Sequence, residues 1–175
     1  MTVEPKQKRV ETDTRFSDLG IAKNLLGRLD ALGFVHATPI QHQVIPVALQ
    51  GTDVVGIAQT GTGKTLAFGV PLIQRLGVHH GRGLIMLPTR ELALQVDETM
   101  RKLGGPLGLR TAVLIGGASM GKQLSDLRRR PHVVIATPGR LADHLKQKTY
   151  SLERITIIVL DEADRMLDMG FLPEI

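Results

Sequence analysis

Apolar residues recur along this chain with two alternating periods. Ile21, Leu25, Leu26, Leu29 and Leu32 return at helical spacing, and Gly33 stands where it would stop that helix. Thr38 before Pro39 predicts an N-cap with proline at the first helical position, opening a second helix that runs through Ala48. From there the pattern changes to short apolar runs at 54–58, 83–87, 111–115, 132–136 and 156–160, with helical stretches between most of them. Strand and helix alternating in this way predict an α/β fold: a parallel sheet covered by helices on both faces.

The turns that follow these strands carry the unusual residues. Residues 59–63, Pro88-Thr89-Arg90, Gly116-Gly117 and Thr137-Pro138-Gly139-Arg140 all fall at carboxyl ends, the edge on which open α/β sheets bind ligands. Residues 1–15 are polar and charged and read as a mobile leader, leaving 16–175 as one folded region without internal repeats or linkers.

Composition narrows the picture only a little. At 175 residues the chain can bury roughly 70% of the surface its unfolded form exposes. It has no cysteine, so disulfides and thiolate zinc sites are excluded. No long apolar run predicts a membrane span or secretory signal, and a cytoplasmic protein is expected. The net charge of +5 favours polyanions only if the cations cluster. Aromatics are 3% of the chain, so a row of stacking rings is not expected, and any nucleic-acid contact should run through backbone phosphates.

Two motifs carry chemistry. Ala58-Gln59-Thr60-Gly61-Thr62-Gly63-Lys64-Thr65 joins a predicted strand to a predicted helix. A loop of small residues there leaves backbone N–H groups free to surround phosphate oxygens, and the helix dipole adds to the attraction. Lys64 supplies a point charge for the terminal phosphates, and the Thr65 hydroxyl can join a magnesium shell. The second motif, Asp161-Glu162-Ala163-Asp164, follows the run 157–160. Asp161 alone would read as an N-cap, with Glu162 and Asp164 as first-turn acids. Beside a phosphate loop the reading shifts: Asp161 becomes a magnesium ligand through water and Glu162 the base that orients an attacking water. Arg128-Arg129-Arg130 reads as a solvated helix end, His79-His80 lacks a ligand pattern for a metal, and Met166 and Met169 read as packing residues.

Further motifs appear in the same order as in one family. These are residues 33–41 (Gly-Phe-Val-His-Ala-Thr-Pro-Ile-Gln), Pro88-Thr89-Arg90-Glu91-Leu92, Gly116-Gly117 and Thr137-Pro138-Gly139-Arg140, with Phe16 seventeen residues before Gly33. With the phosphate loop and the tetrad, the chain from Phe16 to about Phe171 resembles the N-terminal RecA-like lobe of a DEAD-box RNA helicase. Ala58, where the strict phosphate-loop pattern has Gly, agrees with helicase-type motors more than with small GTPases. Ala37 stands where the family usually has Pro, and should loosen that turn.

The resemblance implies ATP and magnesium as cofactors, with Lys64, Asp161 and Glu162 as the catalytic residues. It implies that Gln41 reads the adenine edge and that Phe16 packs on the ring. It assigns Arg90, Gly117, Thr137, Gly139 and Arg140 to the backbone of single-stranded RNA, without sequence preference. It also implies a second helicase lobe bearing arginine fingers, and a further segment of the central sheet beyond the tetrad. On this reading the 175 residues are a C-terminally truncated lobe with two sheet edges open to self-association, able to bind nucleotide but scarcely to turn it over. Two alternatives remain at this stage: a nucleotide-dependent RNA or protein contact module without catalysis, and the motor lobe of another phosphate-loop helicase.

Overall fold

The computed structural model describes residues 13–59 and 61–175, so most of the leader and Thr60 lie outside the described residues. The chain forms two compact units, Met1–Gln74 and Arg75–Ile175.

In the first unit a 3-10 turn, Phe16–Leu19, leads into α1 (Lys23–Ala31), which ends at Gly33 in the left-handed region at φ +79°. Both α1 and α2 (Pro39–Leu49) pack against that turn through Phe16, Leu25, Leu29 and Ile45, all buried. The last two residues of the expected leader are tied down. Arg15 pairs antiparallel with His36, and the Ala37 N–H donates to the Thr14 carbonyl at 2.9 Å. A proline at position 37 could not make that bond. The departure expected to loosen this turn is therefore a point of attachment.

The first predicted strand is not one. Residues 54–58 have no strand partner among the described residues, and Val55 and Ile57 are 92% and 95% exposed. A β-branched run has the propensity for a strand, yet its backbone groups need a neighbour to pair with, and none is present. The chain then enters α3 (Lys64–Val78), whose Gln74 accepts from the Ala22 N–H and donates to the Gly20 carbonyl.

The second unit holds four parallel strands, β1 (Arg82–Met86), β2 (Thr111–Leu114), β3 (Val133–Ala136) and β4 (Ile155–Leu160), in the order β2-β3-β1-β4. The other four predicted strands thus form, within a residue or so at each end. The helices are α4 (Arg90–Gly104), α5 (Met120–Arg128), α6 (Pro138–Lys146) and α7 (Ala163–Asp168). On one face of the sheet Leu84, Met86, Leu114, Val134 and Ala136 pack with Leu141 of α6 and Met166 of α7. Ile85, Val133 and Ile135 point to the other face and are as deeply buried; α4 packs on β2 and β3. Two-sided burial explains why these strands read as continuous apolar runs.

β4 differs. It pairs only with β1, its other edge has no partner among the described residues, and Ile158 and Leu160 are 60% and 44% exposed. No helix among the described residues is long and apolar enough to cross a membrane. Met166 packs as expected, whereas Met169 is half exposed.

Candidate functional site

The phosphate loop opens α3. Gly61 and Gly63 take φ +85° and +91°, angles that side chains resist, and Thr62 Oγ1 closes the loop on the Gln59 carbonyl at 2.7 Å. The Gly63 carbonyl is fully used, accepting from the Leu66 and Ala67 amides and from Gln41 Nε2 at 3.0 Å. No described residue accepts from the backbone N–H groups of Thr62, Gly63, Lys64 or Thr65, and Lys64 has no carboxylate partner among the described residues. A helix N-terminus with unsatisfied donors and an unneutralised lysine fits a phosphate group.

Gln41 and Phe16 are both buried in the first unit. The Gln41 amide is 2% exposed: its Oε1 accepts from the Thr38 N–H at 2.9 Å while its Nε2 holds the loop at Gly63. The Phe16 ring is also 2% exposed. Both serve the packing of the first unit, and Gln41 keeps one Nε2 hydrogen and one Oε1 lone pair beyond these two bonds. Ala58 is half-buried and Gln59 exposed.

A second cluster lies on the carboxyl edge of the sheet in the other unit. β2, β3 and β1 are neighbours, so the loops leaving them converge. Gly117 has φ +74°, and a Cβ there would stand 2.8 Å from Arg90 Cζ. Its bareness is what lets the guanidinium lie against the loop. Arg140 Nη1 donates to the Ala118 carbonyl at 3.0 Å, drawing the same loop toward α6. Thr137 is the N-cap of α6 but makes no capping bond, leaving its hydroxyl available. Gly139 has no atom within 4 Å of a Cβ position, so the packing around it does not demand glycine there. The five residues expected to contact RNA thus occupy one edge, and Arg90, Gly117 and Arg140 are brought against a single loop.

The tetrad follows β4. The Asp161 N–H donates to the Met86 carbonyl at 3.0 Å, continuing the sheet pairing, and Asp161 Oδ1 accepts from the Glu162 N–H at 3.1 Å. The N-cap of α7 is Glu162, not Asp161, and it sits at φ +54°, ψ +46°. A non-glycine residue held there costs of order 1–2 kcal/mol, and such strain gathers at functional positions. Its carboxylate pairs with Arg165 at 3.1 Å. Among the described residues no group of three metal-ligating side chains is found. Asp161 offers the hard carboxylate oxygen of the kind magnesium takes.

The sequence profile of the DEAD/DEAH box helicases matches residues 38–175. The chain belongs to this family. It is 46% identical over 164 residues to the DEAD-box ATP-dependent RNA helicase CshA of Bacillus cereus, covering 93% of this chain and 31% of that protein. It is 51% identical over 167 residues to the ATP-dependent rRNA helicase RRP3 of Pyricularia oryzae, with the same coverage. Among solved structures, a DEAD box protein from Methanococcus jannaschii superposes with a TM-score of 0.84 at 37% identity, over 94% of this chain and 46% of that one. The DEAD/DEAH box chain therefore spans about a third of the length of these curated relatives, and its fold is the RecA-like α/β arrangement.

Sequence patterns missed a buried polar network in this chain. Gln123 of α5 is 3% exposed and His144 of α6 is wholly buried. Gln123 Nε2 donates to the Ile115 carbonyl at 2.9 Å, Oε1 meets His144 Nε2 at 3.1 Å, and His144 Nδ1 meets Thr149 Oγ1 at 2.8 Å. Burial, reinforced by Arg140 and only partly opposed by Asp143, pushes the His144 imidazole below its ordinary value of 6.5. Burial likewise lowers His132, helped by Arg110 and Arg82; its Nδ1 accepts from the Arg110 N–H at 3.0 Å.

A pH dependence follows. Both imidazoles lose their protons more readily folded than unfolded, so over this range the unfolded chain binds more protons. Their contribution is complete above about 6.5 and is lost as pH falls through the lower folded values. Urea midpoints measured between pH 8 and pH 5 should decline below about 6.5, and the double variant His132→Gln, His144→Gln should flatten that decline.

Proposed function

We propose that this chain is the ATP-binding and RNA-backbone-binding lobe of an ATP-dependent RNA helicase. The observation that carries the reading is the phosphate loop at α3, whose N–H groups and Lys64 have no partner among the described residues and suit a nucleotide's phosphates. Lys64 neutralises the terminal phosphates, Thr65 and Asp161 are the residues to hold magnesium, largely through water, and Glu162 orients the attacking water. Magnesium, when bound, neutralises charge on the phosphates. Gly61 and Gly63 set the curvature of the cradle, with Ala58, Gln59, Thr60 and Thr62 completing it. Gln41 would read the adenine edge with the Nε2 hydrogen and Oε1 lone pair left over from its bonds to Gly63 and Thr38, and Phe16 would pack on the ring.

Single-stranded RNA is the proposed partner at the sheet edge. Arg90 and Arg140 provide forked donors, Thr137 a hydroxyl, and Gly117 and Gly139 room for close approach. Contacts of this kind carry no base information. A second helicase lobe is the other proposed partner, since an arginine supplied across such a site raises the rate by about 10³ to 10⁵. The unpaired edge of β4, with Ile158 and Leu160 exposed, favours pairing with another strand, including one from a second copy of this chain. The proposed compartment is cytoplasmic.

Steady-state ATP hydrolysis tests the reading. The chain alone should turn over slowly, and single-stranded RNA together with a second lobe added in trans should raise the rate. A rate that stays at background under all conditions while nucleotide still binds would leave a binding module and remove the enzyme.

A further inference from the structure

The Gly116-Gly117 loop and the N-terminus of α6 lie on different elements, yet a phosphate backbone running along this edge must meet both at a fixed spacing. Two attachments from α6 set that spacing. One is direct, from Arg140 Nη1 to the Ala118 carbonyl. The other is indirect and buried. His144 stands one helical turn after Arg140 on α6, and its Nε2 meets Gln123 Oε1; Gln123 Nε2 in turn holds the Ile115 carbonyl and stands 3.5 Å from that of Ala118.

The proton positions on this relay are determined by its ends. The Ile115 carbonyl can only accept, so the Gln123 NH₂ faces it and Oε1 faces the histidine. Oε1 can only accept as well, so His144 carries its proton on Nε2. Nδ1 is then left to accept from the Thr149 hydroxyl, whose single proton it shares with the His144 carbonyl 3.0 Å away. From the Ile115 carbonyl to His144 Nε2 the line runs in one direction, and burial of the imidazole favours its neutral form.

We infer that Gln123 and His144 are positioning residues for RNA: they hold the Gly116-Gly117 loop at a set distance from the α6 N-terminus without touching the ligand themselves. This rests on the RNA reading of the sheet edge. Neither side chain has surface to offer a ligand, and no helix periodicity requires a glutamine and a histidine at buried positions. Leucine would satisfy packing there but could not grip the Ile115 carbonyl.

The test compares full-length Gln123→Leu, His144→Leu, His144→Gln and the double variant Arg90→Ala, Arg140→Ala. Each is measured for binding of labelled oligouridine, thermal midpoint, and amide exchange at Gly116 and Gly117. Gln123→Leu and His144→Leu should weaken oligouridine binding by about 10-fold and speed exchange at both glycines. His144→Gln keeps a donor at the Nε2 position while losing the Thr149 bond. It should restore affinity to within about 3-fold of the parent, even where its thermal midpoint stays as low as that of His144→Leu. If His144→Gln binds no better than His144→Leu, the side chains act through packing and the inference fails. Should the leucine variants bind like the parent while the arginine variant binds weakly, the inference fails and the RNA reading stands. An arginine variant with parental affinity sinks the RNA reading, and the inference with it. Where Gln123→Leu does not fold, the two His144 variants decide.

Discussion

Replacing Lys64 with alanine is expected to lower ATP affinity by about 100-fold, because a charge-assisted contact to phosphate is lost while the glycine-shaped cradle remains. Calorimetry measures it, and unchanged affinity would defeat the assignment of the loop. Gly63→Ala should lose nucleotide as well, but by another route. Its φ of +91° resists a side chain, and a Cβ would press into the Gln41 amide and stand 3.3 Å from the buried Thr38 Oγ1. Roughly 2–3 kcal/mol of stability in the first unit should go with it. The pair separates charge from shape: Lys64→Ala should melt like the parent, and Gly63→Ala should melt earlier.

At the sheet edge, Arg90→Ala together with Arg140→Ala should weaken single-stranded RNA binding by about 10- to 100-fold and reduce the slope of log affinity against log salt by about 1.4, the release expected from two phosphates. The two arginines do not contribute alike. Arg90 is exposed and lies over Gly117, so its loss removes a phosphate contact. Arg140 is 14% exposed and spends one donor on the Ala118 carbonyl, so its loss also frees the loop. Lysine at position 90 should therefore preserve most of the salt slope, whereas lysine at 140 should preserve charge without the fork. Parental affinity and slope in the double alanine variant would remove RNA from this edge.

What could be read beforehand was what depends on local pattern. β1 and β3 announce themselves because both faces are buried, and Thr38-Pro39 starts α2 because proline belongs at a first helical position. The run 54–58 has the same number of β-branched residues as β3 and still lies open. Propensity is written in the residues, but a strand exists only with a neighbour, and the neighbour's presence is a property of the sheet. Glu162 was legible as chemistry and not as geometry: four letters name three carboxylates, yet nothing in them states that one sits in the left-handed region. Gln123 and His144 stayed hidden for a third reason. Polar residues on a helix read as solvent-facing until the elements packed over them are known.

Ala37 has a consequence for anyone who would stabilise this chain by drawing it toward its relatives. Restoring the proline usual at that position is a standard consensus change, and it would stiffen the turn. Here it would also delete the N–H that holds Thr14 at 2.9 Å, beside the pairing of Arg15 with His36. The proline that the family resemblance would place here is thus the wrong choice for this background, and such a repair would loosen the seam it was meant to tighten.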